Sequence, residues 1–442
     1  MQEIDISANR LISVLLSLPE SEKVCILDSC GVGHLGSHLL IAGISPVETH
    51  ESSSSDPKIT LALLDKKLSD PNLAAIYTIS YDFGLKLHKI QPRVAENGAS
   101  SEPDVFLALF DCLIIHDYDS QKTLISGKQQ KVKQVAKLLN NTTIRKDKIS
   151  VGKALVHSNI SKADYFGLIE NIQDFIRSGD TYQTNLTHQI RAILPDDPTS
   201  EQIFSSLRSN HPAPFAAFLR RSNSTVISAS PERFIEISVK GTIRTSPIKG
   251  TRPRGKTAQA DAELRSELLN SEKDRAENTM IVDLLRNDLG RICEYGSVEV
   301  EKLCDLEEHP SLFHLVSTIS GKLLGGVNYS DILKAVFPCG SITGAPKLST
   351  MRIIDELETA SRGLSMGAIG YRIPGGKFSI GESFDMSVAI RTMVIRGREA
   401  VFNVGGGIVI DSDAESEYAE TLIKARSLLD AVQSANFSLS SG

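Results

Sequence analysis

Five cations and no acid crowd the stretch RTSPIKGTRPRGK: Arg244, Lys249, Arg252, Arg254 and Lys256. Pro247, Gly250, Pro253 and Gly255 interrupt it, which predicts a loop that displays its charges. Forked arginine donors in such a loop suit a carboxylate-bearing ligand, and a solvated basic loop is the plain alternative. Lys249 stands apart from its neighbours. Ile248 gives its stem an apolar side, and Gly250 leaves the backbone room for a ligand. Crowding by other cations is one way a lysine becomes a nucleophile.

Carboxylates form a second set. Glu417, Glu420 and Lys424, spaced i, i+3, i+7, share one face of a helix predicted over 412–432. Leu422, Ala425, Leu428 and Leu429 give that helix its apolar side, and Ser412 with Glu415 reads as a capping box. Glu277 stands near the start of another helix, predicted over 273–290. Its apolar stripe is taken as Ala276, Met280, Ile281 and Leu284, which leaves Glu277 beside Asp274. Oxygen ligands from separate helices suit Mg²⁺, which takes one or two carboxylates and fills the rest with water and substrate oxygens. A solvated helix face gives the same pattern, so spacing alone leaves the metal open.

Single residues complete the inventory. Glu232, in SASPERF, sits at a corner between strands, a good place for a catalytic side chain. His314, in LFHLVSTISG, has apolar neighbours, and the pattern favours a satisfied core histidine. Arg391, in DMSVAIRTMVI, falls mid-strand, so a buried or cleft-side carboxylate partner is expected. FPCGSITGAPK leads into a helix, with Ser341 or Thr343 as its cap. Gly405 to Gly407 either let backbone N–H groups approach an anion or mark a strand bulge.

The elements that position these residues follow from apolar patterning. VCILDSC (24–30) and LAAIYTIS (73–80) read as buried strands, and VFLALFDCLIIHD (105–117) as one or two more. Residues 120–160 turn polar and basic, with spacing for one exposed helix. A boundary near residue 145 divides the chain into regions 1–145 and 146–442. A helix over 161–178, with Phe166, Ile169, Ile172, Phe175 and Ile176 on one face, ends at Gly179. TVISAS (225–230) and FIEISVK (234–240) are strands, and 383–411 reads as two long strands around Arg396-Gly397-Arg398. Long antiparallel strands with separate helices make an α+β fold.

Composition narrows the function classes. The 442 residues carry a formal net charge of -6, with 41% hydrophobic and 23% charged residues. That is a folded, globular profile, too long for one simple core. Acidic balance argues against a general nucleic-acid or membrane-surface role while permitting a local basic pocket. No apolar run approaches the roughly 18 residues that span a bilayer. The start, MQEIDISANR, lacks the basic and apolar parts of a signal peptide. Six cysteines show no zinc-like spacing, so reduced thiols and a cytoplasmic location are expected. Neither a dinucleotide fingerprint nor a P-loop occurs.

Taken together, the segments resemble one family. GDTYQTNLT (179–187), SPERF (230–234), TSPIKGTRPRG (245–255), KDRAENTMIVDLLRNDLGR (273–291), FHLVSTISG (313–321), FPCGSITGAPK (337–347), AIRT (389–392) and GGGIVIDSDAESEYAETLIKA (405–425) run in the order seen in chorismate-utilising enzymes. They are similar to the large subunits of anthranilate synthase and aminodeoxychorismate synthase. The resemblance implies large antiparallel sheets in an orthogonal, sandwich-like core flanked by helices, with the active site in a central cleft. It implies Mg²⁺ held by Glu277 and Glu417 with Glu420 nearby, Glu232 as the general acid at the departing C4 hydroxyl, and His314 beside the reacting ring. Ser341, Thr343, Gly344, Tyr371, Arg391, Gly407 and Lys424 match positions around the substrate.

Subfamily is decided by a few positions. Lys249 stands where anthranilate synthases usually carry alanine. The match is to the branch in which a lysine adds covalently at C2, ammonia replaces it from C4, and 4-amino-4-deoxychorismate results, a transaminase-class reaction of folate synthesis. Asn278, in place of a common histidine, favours the same branch. Gln183 argues against isochorismate and salicylate synthases, which usually have lysine there. Ammonia is expected from a separate glutamine amidotransferase subunit. Asp28 and Ser29 resemble part of a tryptophan pocket, whose ligand here stays open. The alternative activity is anthranilate synthesis with release of pyruvate.

Overall fold

The computed structural model describes residues 1–33, 38–93, 102–144, 154–195, 199–308 and 312–432. The expected boundary near residue 145 lies outside them. Every residue of strand Val105–Phe110 is buried, and its side chains alternate between two cores. Val105, Leu107 and Leu109 join one core, while Phe106, Ala108 and Phe110 join the other. An unbroken apolar run can therefore be a strand without any polar alternation, because both faces are covered. Strand Cys112–Asp117 repeats the pattern, and the chain changes sheets between the two.

Two antiparallel sheets carry the fold. The first, of twelve strands among the described residues, runs from Gln2–Ile4 through Cys25–Asp28 to Phe215–Arg220, Thr225–Ser230, Thr392–Arg396, Glu399–Ile408 and Gln183–Ile193. The second, of ten, contains Ile248–Pro253, Leu312–Lys322, Arg233–Ile237, Ser383–Val388, Ala368–Ile373, Ala74–Ile79 and Val105–Phe110. Strands from both sides of residue 145 pair within each sheet.

Between the sheets lies an apolar core. Ile41, Leu113, Leu219 and Val394 of the first sheet meet Ile76, Phe106, Ile369 and Tyr371 of the second. Helices cover the outer faces. Leu15, Val135, Phe204 and Leu428 pack over the first sheet, and Leu64, Ile281, Leu285 and Met351 over the second. Each such buried side chain contributes about 1.5–3 kcal/mol.

Several expectations need correction. Helix Gln129–Asn141 is not simply exposed, for it buries Val132, Val135, Ala136 and Leu139. Helix Lys162–Arg177 buries Tyr165, Ile169 and Ile172 and leaves Phe166 half-buried. In helix Glu272–Gly290 the buried stripe is Asn278, Ile281, Val282, Leu285, Asp288 and Leu289, while Ala276 is exposed. Asn278 and Asp288 rotate the stripe because each has a buried partner, Ser317 and Lys347 respectively. Helix Ala414–Val432 is capped by Asp413, whose Oδ1 accepts from the Ser416 N–H at 2.9 Å. Ser412 turns instead to Glu417.

The stretch 383–411 makes three strands rather than two. Ser383–Val388 lies in the second sheet, and Thr392–Arg396 and Glu399–Ile408 in the first. Alongside it, Thr225–Ser230 and Arg233–Ile237 make the same passage in the opposite direction. A two-stranded ribbon thus bends from one sheet into the other, and register shifts beside Arg233 mark the bend. Pro231 and Glu232 form one crossing point, Ala389 to Arg391 the other. Hydrogen bonds tie the crossings together: Val388 N–H to the Glu232 carbonyl, 3.0 Å, and Ala229 N–H to the Arg391 carbonyl, 3.0 Å.

Candidate active site

Glu232 projects from the first crossing and is only 4% exposed. Its Oε1 has no hydrogen-bond partner among the described residues. Burial pushes the carboxyl up to about 7, against the pull of the Ser341 hydroxyl, the Lys249 ammonium and the Ile248 N–H. A carboxyl in that range keeps its proton near neutrality and can release it in a reaction.

Lys249 lies on strand Ile248–Pro253. Ile248 pairs with Val316 and Thr251 with His314, so one extra residue bulges out between them. The expected display loop is therefore mostly strand, Thr242–Ser246 followed by Ile248–Pro253. Its arginines are not offered to a ligand. Arg244 pairs with Glu301 at 3.0 Å, Arg252 with Glu267 at 2.7 Å and Asp274 at 3.2 Å, and Arg254 with Asp261 at 2.6 Å. Those carboxylates come from chain segments beyond the basic stretch, which is why local charge misled. Lys249 instead acts on three carboxylates, Glu232, Glu277 and Glu420, which it shares with Lys273 and Lys424.

Two glycines fit this arrangement differently. Gly250 has a φ of +81°, and a Cβ there would come within 2.9 Å of Leu268 and 3.0 Å of Asp274. Its space serves packing inside the protein, not a ligand. Gly407 lies in an unbroken antiparallel register with Gln183–Ile193, so the glycine run is not a bulge. A Cβ on Gly407 would stand 2.2 Å from Gln183 Nε2 and 3.3 Å from Lys249 Nζ. Glycine there lets both side chains rest on the strand.

The glutamates gather across two helices. Glu277 accepts from Gln183 Nε2 at 3.2 Å and lies 4.0 Å from Lys273 Nζ. Glu417 Oε1 accepts from the Ser412 hydroxyl at 2.7 Å and lies 3.5 Å from the same ammonium. Glu420 pairs with Lys424 at 2.7 Å, and Lys424 also donates to the Gly405 carbonyl at 3.0 Å. Burial pushes the Glu277 carboxyl up, with Lys249 and Lys273 opposing. Burial acts on Glu420 too, but Lys424 and the other lysines hold its carboxyl below the usual range. No group of three His, Cys, Asp or Glu side chains arranged to hold a metal by itself occurs among the described residues. The donor set still suits a hard divalent ion that keeps water and substrate oxygens in its shell. Two half-buried or buried carboxylates already converge on a cation here, the Lys273 ammonium.

Other expected residues scatter more. His314 is buried on Leu312–Lys322, with Nδ1 2.8 Å from the Thr251 hydroxyl. Arg391 is not mid-strand: at φ +48° it occupies the second crossing, and no ion pair or side-chain hydrogen bond to it occurs among the described residues. Burial alone lowers its guanidinium's proton affinity. The anticipated carboxylate partner is thus absent from the described residues, and the group suits an anion from outside. Ser341 reaches Glu232. Thr343 turns its hydroxyl onto the Cys339 carbonyl, 3.0 Å, and a Cβ on Gly344 would stand 2.0 Å from the Gln183 carbonyl. Neither caps helix Lys347–Leu357, which begins after Pro346 without a side-chain cap.

Tyr371, Asp28 and Ser29 line a different space, an inter-sheet cavity shared with Pro214 and Phe215. Asp28 is held by Arg208 at 2.6 Å, Tyr118 at 2.7 Å and the Cys30 N–H at 2.8 Å. Ser29 Oγ has no partner among the described residues. Sequence reasoning passed over Lys273 as a member of the glutamate site and used Gln183 only as a subfamily marker. The i, i+4 spacing of Lys273 and Glu277 was the available signal for the first.

Comparisons with known proteins agree with one family. The model of chorismate binding enzymes matches residues 32–430. Aminodeoxychorismate synthase component 1 of Salmonella typhimurium is 38% identical over 364 residues, covering 81% of this chain and 78% of its own. The protein of the same name from Escherichia coli is 37% identical over 418 residues, covering 92% and 88%. The crystal structure of anthranilate synthase component I from Streptococcus pneumoniae superposes with a TM-score of 0.78 at 28% identity, covering 90% of this chain and 93% of that one. With the family match spanning nearly the whole chain and a glutamate, lysine and glycine cluster at the junction of its sheets, this chain belongs to the chorismate binding enzymes.

Proposed function

We propose that this chain is the large subunit of an aminodeoxychorismate synthase, joining chorismate and ammonia to form 4-amino-4-deoxychorismate. The observation that carries the reading is the placement of Lys249 against Gly407, facing a buried Glu232 that keeps its proton to about pH 7. The named relatives support it. In the reaction the Lys249 ammonium first gives up a proton to solvent, and the amine so formed adds at C2 of the ring. The ring π electrons shift, and the C4 hydroxyl departs as water with a proton from Glu232, because hydroxide is a poor leaving group. Ammonia then adds at C4, the electrons return, and the Lys249 amine is expelled. Splitting the substitution this way avoids direct displacement at C4.

Around these two residues, Arg391, Ser341 and Lys424 are assigned to the substrate's carboxylates and oxygens, and His314 to the flank of the ring. Glu277 and Glu417 would hold Mg²⁺, with Glu420 beside it. When bound, that ion supplies a positive centre for a substrate carboxylate. Thr343, Gly344 and Gly407 shape the walls, and Tyr371 belongs with the inter-sheet cavity rather than the reacting ring. Asp28 and Ser29 remain candidates for a tryptophan pocket there. The transaminase class, a glutamine amidotransferase partner as the ammonia source, and a cytoplasmic location are parts of the same proposal. No described helix is long and apolar enough to cross a membrane. Regions 1–145 and 146–442 are read as one composite unit, with the reacting groups all in the second.

Product analysis tests the reading. The protein is incubated with chorismate, Mg²⁺ and an ammonium salt, and the products are separated by mass. A product one mass unit below chorismate without pyruvate is expected. Anthranilate with pyruvate would overturn it in favour of the activity named for the Streptococcus pneumoniae relative.

A further inference from the structure

One ammonium bridges the two carboxylates assigned to the metal. Lys273 Nζ lies 3.5 Å from Glu417 Oε1 and 4.0 Å from Glu277 Oε1. Glu277 is on helix Glu272–Gly290 and Glu417 on helix Ala414–Val432. We propose that Lys273 is a resident counter-cation, holding the place between Glu277 and Glu417 until a divalent ion displaces it, and so sets the metal affinity of the site. The inference rests on the metal reading given above.

Geometry separates Lys273 from the other lysines nearby. Lys424 is anchored twice, to Glu420 at 2.7 Å and to the Gly405 carbonyl at 3.0 Å. Lys273 has only the two glutamates as ion-pair or hydrogen-bond partners among the described residues, and its side chain is 55% exposed. It starts in the first turn of its helix, where a flexible four-carbon stem can swing into water with no other bond to break. The alternative positions of the ammonium are therefore between the carboxylates or in solvent.

The consequence follows from charge. Two carboxylates on different helices repel when nothing stands between them, and Lys273, the ammonium within 4.0 Å of both, offsets that repulsion while the metal is away, with Lys249 also acting on Glu277. A divalent ion arriving within about 4 Å of an ammonium is opposed by it, even at the effective dielectric of a partly exposed site. Metal and Lys273 cannot both keep the place. A lysine that merely supported the fold would behave oppositely: its loss would loosen the carboxylates and weaken the metal.

Manganese binding tests this directly, by the paramagnetic resonance signal of free Mn²⁺ titrated with protein at fixed pH and ionic strength. Wild type, Lys273→Met, Lys273→Arg and Glu417→Gln are compared, with far-ultraviolet circular dichroism as the check of folding. The expected results are saturable binding by wild type, loss with Glu417→Gln, and binding about tenfold tighter with Lys273→Met. Lys273→Arg, which keeps the charge, should stay within a few-fold of wild type and covers the case in which the methionine variant does not fold; an arginine variant that binds about tenfold tighter would also refute displacement. Binding by Lys273→Met that is equal to or weaker than wild type, with Glu417→Gln still defective, overturns the inference and leaves the metal reading standing. Absence of saturable binding in wild type, or indifference to Glu417→Gln, overturns both.

Discussion

Replacing Glu232 with glutamine keeps the shape of the side chain and removes its titration. The carboxyl rises from the ordinary 4.5 to about 7 because burial disfavours the charged form. That difference corresponds to about 3 kcal/mol. The group is 4% exposed, so little solvent screening reduces it. The sign is fixed by linkage. Between the two values the folded state holds a proton that the unfolded chain has released, so stability falls as pH rises. The contribution is complete below 4.5 and gone once pH has passed about 7.

Urea unfolding of wild type and Glu232→Gln, each measured from about pH 5 to about pH 8, reads this out. Wild type should lose about 2–3 kcal/mol relative to the variant across that interval. Single-turnover consumption of chorismate supplies the catalytic half. In the variant the rate should be lower by about a hundredfold or more. Parallel stability curves would refute the raised carboxyl, and an unchanged single-turnover rate would exclude Glu232 as the acid.

Lys249→Ala should abolish formation of 4-amino-4-deoxychorismate while chorismate binding, followed by calorimetry, stays within a few-fold; undiminished turnover would remove the covalent role. Gly407→Ala puts a methyl 2.2 Å from Gln183 Nε2 and so displaces the amide from Glu277. Its kcat should drop about tenfold or more with only a small change in Tm, whereas wild-type kcat would show that the strand floor has slack. Arg362→Met breaks a buried pair with Glu358, 2.7 Å, and bonds to the Ile342 and Asn185 carbonyls at 2.9 and 2.6 Å. Denaturant unfolding should show a loss of about 3–5 kcal/mol, since Glu358 is left buried and unpaired.

Much of the fold was readable wherever burial is two-sided or periodic. VFLALF has only apolar residues to offer, and both of its faces meet cores. Long-range partners were not readable. The arginines of the 244–256 stretch looked available because their carboxylates, Asp261, Glu267, Asp274 and Glu301, lie elsewhere in the chain. Ser412 and Glu415 have capping-box spacing, yet Asp413 caps the helix and Ser412 bonds Glu417. Local spacing cannot rank two adjacent candidates when one has a tertiary partner. The same limit placed Arg391 inside a strand: its alternation is real on either side, but the strand changes sheets at that residue.

That change of sheets also explains why the Glu232 carboxyl is buried where it is. A buried carboxyl at mid-strand needs a partner in the sheet, as Asp385 has in Arg233 at 2.9 Å. At a crossing the backbone turns away from both sheets, leaving a gap between them that neighbouring strands can close. Backbone bonds from Val388 and Ala229 fix the two crossings against each other. Glu232 is thereby desolvated, and burial outweighs the pull of Ser341, Lys249 and the Ile248 N–H, so its carboxyl rises. Arg391 at the other crossing is a cation with no ion pair among the described residues, held in a left-handed backbone conformation that costs about 1–2 kcal/mol. Fold stability alone gives no reason to keep a buried carboxyl at one crossing and, at the other, a strained arginine with no ion pair among the described residues.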